Sequence, residues 1–424
     1  MSTIQKTDID KSVVLGATKI TVTRVPYRIA SGPTAGQDII CLAGHCPGTG
    51  TDYDLIPVQS LEQILELFAG NMADTAAVAA VKASTMYSAL VSCWVSGGRN
   101  LAILRLGDDA DFDGLTDDQR YQLIYTKLGN AYSYITDNEY IQYIVPVEAP
   151  AEGYTKADTT FLDFMQQAAF AAAKAINTGS FVQVMLSTES SDVTILANAE
   201  SIRKKEDWQF KDPGQSYCYS STLGWLPNND AYRFVAVPAG RALFSYPEFD
   251  VSFEGGLAPA IAGLSSSLQA DVSSMGRVVP GVRLFTRLSQ DDADALSLAG
   301  YMVLGETARQ QRRRQTGAIV ISDNTMAIPA SDFQQEVVMR LTRRVSLAVR
   351  LAILPYIGTS GLGIETEVDT VLRTLARDDV IRDYFYRFAR DPGDIHRLLL
   401  LVSVTPYLPV KALTIEISAG PFTS

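Results

Sequence analysis

Apolar and polar residues alternate over residues 19–23, so Ile20 and Val22 share one face of a short strand that Pro26 ends. Residues 39–43 form a second apolar strand running into the turn-rich GHCPGTGTD. Helical spacing begins after Ser60. Leu61, Ile64, Leu65 and Phe68 make one stripe, Ser60 and Gln63 have capping-box spacing, and Gly70 stops the helix. The Ala-rich stretch that follows predicts one further helix to about Ser96, broken by Gly97-Gly98, and residues 101–106 read as a strand. Beyond it the pattern alternates. A helix opens at Thr116 with Gln119 at the capping-box position. Then come a strand at 140–147, a helix at 158–176, a strand at 181–186, a helix at 192–203 and a strand at 233–237. Alternation of this length predicts a layered α/β domain with a mainly parallel sheet.

Between Pro238 and Pro280 the Ser, Gly and Pro content rises, which predicts a loop-rich stretch with one helix near 259–271. A capped helix is expected at 289–298 and a strand at 318–321. The last hundred residues predict a long amphipathic helix at 331–354, capped by Ser331 or Asp332 and stopped by Pro355. A second helix runs from 365 to 377, with a further helical piece to Phe388. Two strands close the chain, 398–404 and 411–418. In the second, Leu413, Ile415 and Ile417 face one way and Thr414, Glu416 and Ser418 the other. An alternating strand at a chain end presents unpaired backbone groups. It is either folded into its own sheet or added to a neighbour's, and composition alone leans towards the first.

The chain has 424 residues, room for two or three domains of roughly 100–200 residues. Hydrophobic residues make up 47% and charged residues 20%, enough apolar material for a sizeable core. A net charge of −11 repels phosphate and disfavours broad nucleic-acid binding. No apolar run reaches transmembrane length, and MSTIQKTDIDKS lacks a signal-peptide pattern, so cytoplasmic folding is expected. Cys41, Cys46, Cys93 and Cys218 are sparse and read as reduced, mostly buried thiols.

Candidate chemistry is thin. His45 and His396 are the two histidines, neither lies in a nucleophile motif, and no G-x-S-x-G occurs, so an ordinary surface or turn role is expected for both. Cys41, His45 and Cys46 match no zinc module. GHCPGTGTD lacks the Lys-Ser/Thr ending of a phosphate loop. Asp109, Asp111, Asp113 and Asp117 occupy positions 1, 3, 5 and 9 of a calcium loop with Gly114 at 6. Position 12, however, is Arg120, where a bidentate carboxylate belongs, so an acidic turn feeding the Thr116 cap is the plainer reading. No cofactor is expected. Residues 310–315, QQRRRQ, are the strongest basic run. The long helix carries Arg340, Arg343, Arg344 and Arg350, and the next segment Arg373, Arg377 and Arg382. Pairing with the chain's own carboxylates is the default for them, and docking of an acidic partner the alternative.

The order of these elements resembles the contractile-tail sheath proteins. The carriers of the likeness are IICLAGHCPGTGTDYDLIPVQSLEQILELFAG, ALVSCWVSGGRNLAILRL, GLAPAIAGLSSSLQADVSSMGRVVPG, LSQDDADALSLAGYMVL, VVMRLTRRVSLAVRLAI and LLLLVSVTPYLPVKALTIEIS. It spans about residues 12–420 and departs at 315–326, where many relatives carry Gly-Gly and Trp-Gly-Arg-Thr and this chain reads QTGAIVISDNTM. The resemblance implies an α/β fold: an N-terminal arm (1–25), an outer layered domain of subtilisin-like topology without a triad (26–305), an α+β inner sheath domain (306–410) and a C-terminal arm (411–424). It implies exchange of the terminal strands between subunits, at 18–25 with Ile20 and Val22, and at 411–418 with Leu413, Ile415 and Ile417. It also implies an inner face towards a tail tube, with Arg340, Arg343, Arg344, Arg373 and Arg377 as possible contacts. The implied partners are further copies of the chain, the tail tube protein, and baseplate and tail terminator proteins, with no direct nucleic acid and no membrane insertion. The implied function is a non-enzymatic subunit that polymerises around the tube and contracts to drive it through a host envelope. It would be assembled in a host cytoplasm and carried in a virion tail or a phage-derived injection machine.

Overall fold

The computed structural model describes residues 13–15, 18–20, 39–47, 52–135, 140–148, 161–177, 180–188, 232–285, 288–306, 317–327, 333–356, 363–391 and 394–406. The first two strands, β1 (Val13–Leu15) and β2 (Thr18–Ile20), pair as an antiparallel hairpin. The body is built on six strands: β3 (Ile39–His45), β4 (Leu55–Val58), β5 (Leu101–Gly107), β6 (Ile141–Pro146), β7 (Gln183–Met185) and β8 (Val235–Ala236). Their spatial order is β4-β5-β3-β6-β7-β8, all parallel except β4. β3, β5 and β6 are buried at every position, as a sheet covered on both faces requires. Side chains alternate between two cores. Ile39, Cys41 and Ala43 enter one, and Ile40 and Leu42 the other.

On the first face lie α4 (Asp117–Ile135), through Ile124 and Leu128, and α5 (Phe161–Asn177), through Phe164, Met165 and Ala168. The second face is covered by α1 (Leu61–Ala69), α2 (Thr75–Ala83), α3 (Thr85–Val95) and α6 (Ala258–Ser267). Local chemistry sets the helix starts. The Ser60 hydroxyl accepts from Gln63 N at 3.1 Å, while the Gln63 side chain reaches Gln59 N rather than Ser60 N. Thr116 and Gln119 form the full reciprocal box. The single Ala-rich helix expected before Ser96 is instead two, bent by 70°. Ser84 leaves helical geometry (ψ 148°) and its hydroxyl caps α3 at Tyr87 N. Gly263 of α6 sits so close to α3 that a Cβ there would lie 2.2 Å from the Cys93 carbonyl oxygen.

The stretch from Pro238 to Pro280, expected as loop with one helix, has that helix as α6 but also carries strands. β9 (Arg241–Tyr246), β10 (Val251–Gly256) and β12 (Val282–Leu284) form one three-stranded sheet. β11 (Val278–Pro280), β13 (Met302–Gly305) and β14 (Gly317–Asp323) form another. β9 alternates half-buried and buried positions, and Phe244 stacks on Phe253 across the β9–β10 pair at 4.7 Å. Between β12 and β13 along the chain, α7 (Gln290–Leu298) starts at a Ser289–Asp292 capping box. The expected domain boundary at 305/306 falls inside the second sheet, because β14 pairs with both β11 and β13.

The C-terminal part is α8 (Glu336–Ile353), α9 (Ile364–Arg377), β15 (Asp383–Asp391) and β16 (Asp394–Thr405). α8 starts later than expected because Gln335 still bridges Asn324 in extended geometry. The helical piece expected up to Phe388 is β15. Asp379, at φ 57°, turns the chain out of α9, and Tyr384, Tyr386 and Phe388 then follow the strand period of two onto one face. That face packs on Leu341, Val345 and Val349 of α8 and Val368, Leu372 and Leu375 of α9, making a third core. The helix expected at 192–203, the basic run at 310–315 and the strand expected at 411–418 lie outside the described residues.

Candidate assembly interface

In open parallel sheets ligands lodge beyond the strand C-termini where the winding reverses. Here that point is β3, flanked by β5 and β6. It is filled by the protein's own side chains. His45, at the end of β3 and buried rather than in a surface turn, holds Glu148 just past β6 at Nδ1–Oε2 2.8 Å, with the Phe112 ring 4.1 Å away. Arg120 lies over Phe112 and approaches Glu148 at 4.0 Å. Burial pushes the neighbouring Asp109 carboxyl above its usual range, and Glu148 adds to the effect. The Cys46 thiol is pushed up by burial and by Asp109, and burial lifts Cys41 to about 12, so both stay protonated and unreactive.

The acidic turn is engaged by the chain's own lysine. Asp109 and Asp111 lie in a 3-10 turn, and Asp111 is engaged by Lys127 at 2.8 Å, which also holds Asp52 at 3.2 Å, placing an ammonium where a cation would sit. Asp113 ends that turn and Asp117 opens α4. Among the described residues no group of three or more His, Cys, Asp or Glu side chains is placed to hold a metal ion.

Arg340 and Arg343, expected among the tube contacts, face inward. Arg340 is 2% exposed, pairs with the fully buried Glu336 at 2.9 Å and donates to the carbonyls of Ser265 (2.9 Å), Gln269 (3.0 Å) and Val272 (2.6 Å). The Tyr143 hydroxyl of β6 donates to Glu336. Arg343 donates to the Phe181 carbonyl. Burial pushes the Glu336 carboxyl up, against the pull of Arg340. Arg344, Arg373 and Arg377 do reach solvent, with Arg373 on Asp369 at 2.5 Å and Arg377 on Asp378 at 3.2 Å. Neither Glu336 nor Tyr143 stood out in the sequence, although Glu336 and Arg340 have ion-pair spacing on a helix.

The β15–β16 hairpin is the other unusual site. Its register runs unbroken from Asp383↔Thr405 to Arg390↔Leu398, and its inner face covers α8 and α9. Among the described residues no third strand hydrogen-bonds to it, although β1 lies beside β16. Three other sheet edges are blunted: β4 contains Pro57, β11 ends in Pro280 and β8 is two residues long. β15 and β16 contain no proline, span nine and twelve residues, and expose Phe385 (67%). His396 is on β16. Of the expected exchange residues, Ile20 lies in β2 opposite Val13, while Val22, Leu413, Ile415 and Ile417 lie outside the described residues.

No family model and no curated protein sequence matches the chain. Solved structures do. A chain of the anti-feeding prophage baseplate aligns with TM-score 0.60 at 13% identity over 99% of both chains. The contracted helical sheath of the same particle aligns with TM-score 0.59, also at 13% over 99% of both. The sheath tail protein of Desulfitobacterium hafniense aligns with TM-score 0.53 at 11% identity, over 89% of this chain and 98% of that one. Across nearly its whole length, the chain therefore has the fold of the contractile tail sheath proteins.

Proposed function

We propose that the chain is the structural subunit of a contractile tail sheath, polymerising around a tail tube and contracting to drive it through an envelope. The observation that carries this reading is the β15–β16 hairpin, a two-stranded sheet with long, proline-free edges in a fold shared with a helical sheath. A two-stranded hairpin is marginal alone and is completed by added strands. In the proposed polymer these come from neighbouring copies, through 18–25 (Ile20, Val22) and 411–418 (Leu413, Ile415, Ile417). An eight-residue strand adds about eight backbone bonds, each about 0.5–1.5 kcal/mol net, against an ordering cost of about 1–2 kcal/mol per residue. Backbone pairing alone is therefore near balance. Burying Leu413, Ile415 and Ile417, at about 1.5–3 kcal/mol each, tips it towards exchange.

Of the arginines expected at the tube, Arg344, Arg373 and Arg377 are exposed and available to face it. Baseplate and terminator proteins would cap the polymer, and the subunit itself would carry no catalytic site or cofactor. The filled crevice at His45 and the protonated thiols support a structural role over a hydrolytic one. Removing residues 411–424 should leave a folded monomer unable to form long sheaths. Long polysheaths from the truncated chain in electron micrographs would overturn the exchange.

A further inference from the structure

We propose that Tyr143, Glu336 and Arg340 form a rivet that fixes α8 to the outer α/β body, so that this body and the α8–α9–hairpin unit turn as a single lever. The use of that lever in contraction rests on the sheath reading; the rivet itself does not. The first turns of α8 are embedded on all sides, since every residue from Glu336 to Leu341 is buried. Met339 belongs to the core beneath the parallel sheet, whereas Leu341, Val345 and Val349 belong to the C-terminal core. One helix therefore crosses from one core to the other, and the part beyond Arg340 is about 20 Å long at about 1.5 Å per residue.

Apolar contacts alone let a helix slide or rotate by small amounts, whereas the Arg340 fork allows little of either. Its Nε faces Glu336, Nη1 meets the Ser265 and Gln269 carbonyls, and Nη2 meets the Val272 carbonyl. Ser265 lies in the last turn of α6, where carbonyls lack intrahelical donors and a cation is favoured. Glu336 is held in turn by the Tyr143 hydroxyl from the middle of β6. Arg343, one turn further along, ties the same helix to Phe181 just ahead of β7. Three parts of the outer body thus hold the helix by directional bonds, those to the end of α6 coming from the planar Arg340 group. A shift would leave a buried charge uncompensated, so the arrangement resists partial displacement.

The test reads geometry, because a merely stabilising cluster would change only the melting point. Spin labels are placed at Asp117→Cys on α4 and Thr370→Cys on α9, both exposed, in a Cys218→Ser background that keeps the buried Cys41, Cys46 and Cys93. Labelled chains are diluted into excess unlabelled chains, and the distance distribution is measured by pulsed dipolar spectroscopy. The parent should give one narrow peak. Glu336→Leu with Arg340→Met replaces the pair by apolar side chains, an exchange that often preserves stability. It should keep a cooperative unfolding transition yet lose the narrow peak to a broad distribution. A narrow peak unchanged from the parent overturns the rivet. Should the double variant not fold, Arg340→Lys keeps the charge and loses the fork, and is read by the same two outcomes. Failure of the chain to polymerise would sink the sheath reading and leave this measurement standing, since it needs only folded chains.

Discussion

Replacing Arg340 by alanine is the most informative single perturbation of the fold. It strands Glu336, which has no solvent exposure, and removes donors from the carbonyls of Ser265, Gln269 and Val272. Breaking a buried pair by removing one partner costs about 3–5 kcal/mol, a large share of the roughly 5–15 kcal/mol that holds a typical domain together. The cost should depend on pH in a definite direction. Burial already lifts the Glu336 carboxyl, and loss of Arg340 lifts it further. A carboxyl raised in the folded state favours folding while it is protonated and opposes it once pH climbs past its folded value. The deficit of Arg340→Ala should therefore be largest at neutral pH and shrink on acidification. Replacing both partners, Glu336→Leu with Arg340→Met, strands no charge and should recover part of that loss, the remainder reflecting the bonds lost at the three carbonyls and at the Tyr143 hydroxyl. Urea unfolding at mildly alkaline and mildly acidic pH measures all three chains. A loss below about 1 kcal/mol for Arg340→Ala, or a loss that grows on acidification, would refute the reasoning.

Further outcomes follow from other contacts. Gly263→Val would drive a side chain into the Cys93 carbonyl, and should cost about 1–3 kcal/mol or more in thermal unfolding by prising α6 from α3. Lys127→Met should weaken the fold by about 1 kcal/mol at neutral pH, because both carboxylates it serves are partly exposed. Lys127 holds Asp111 below its usual 3.8, so that contribution exists above 3.8 and fades as pH falls through the lowered folded value; parent and variant should converge there in acid melts. Phe385→Asp, on the exposed face of the hairpin, should change stability by within about 0.5 kcal/mol, whereas Leu372→Ala beneath it should cost about 2–5 kcal/mol; calorimetry of the two variants separates surface from core.

What could be read from the chain alone were the elements whose signals are local. The apolar runs of β3, β5 and β6, the stripe of α1 and the Thr116–Gln119 box each depend on residues within a few positions of one another. What was misread depended on distant partners or on competing punctuation. The default pairing of Arg340 with a carboxylate of its own chain holds at Glu336, but its place among possible tube contacts does not, because its burial is set by Tyr143 and by the end of α6, 68 to 75 residues away for the carbonyls it meets. His45 looked like a loop residue because Glu148, its partner, lies 103 positions on. β9 and β10 were hidden by surrounding glycine and proline, although β9 alternates cleanly. β15 was taken for helix because it follows a strongly amphipathic one, and the Asp378–Asp379 turn between them carries no glycine to mark it. Of the proposed interface, the strand expected at 411–418 lies outside the described residues, while the hairpin that would receive it was seen only in part, at 398–404.

The most direct measurement of the central claim is negative-stain electron microscopy of the purified full-length protein across a concentration series. The account predicts hollow, cross-striated cylinders that lengthen with concentration. Isolated particles of single-chain size at every concentration would contradict it.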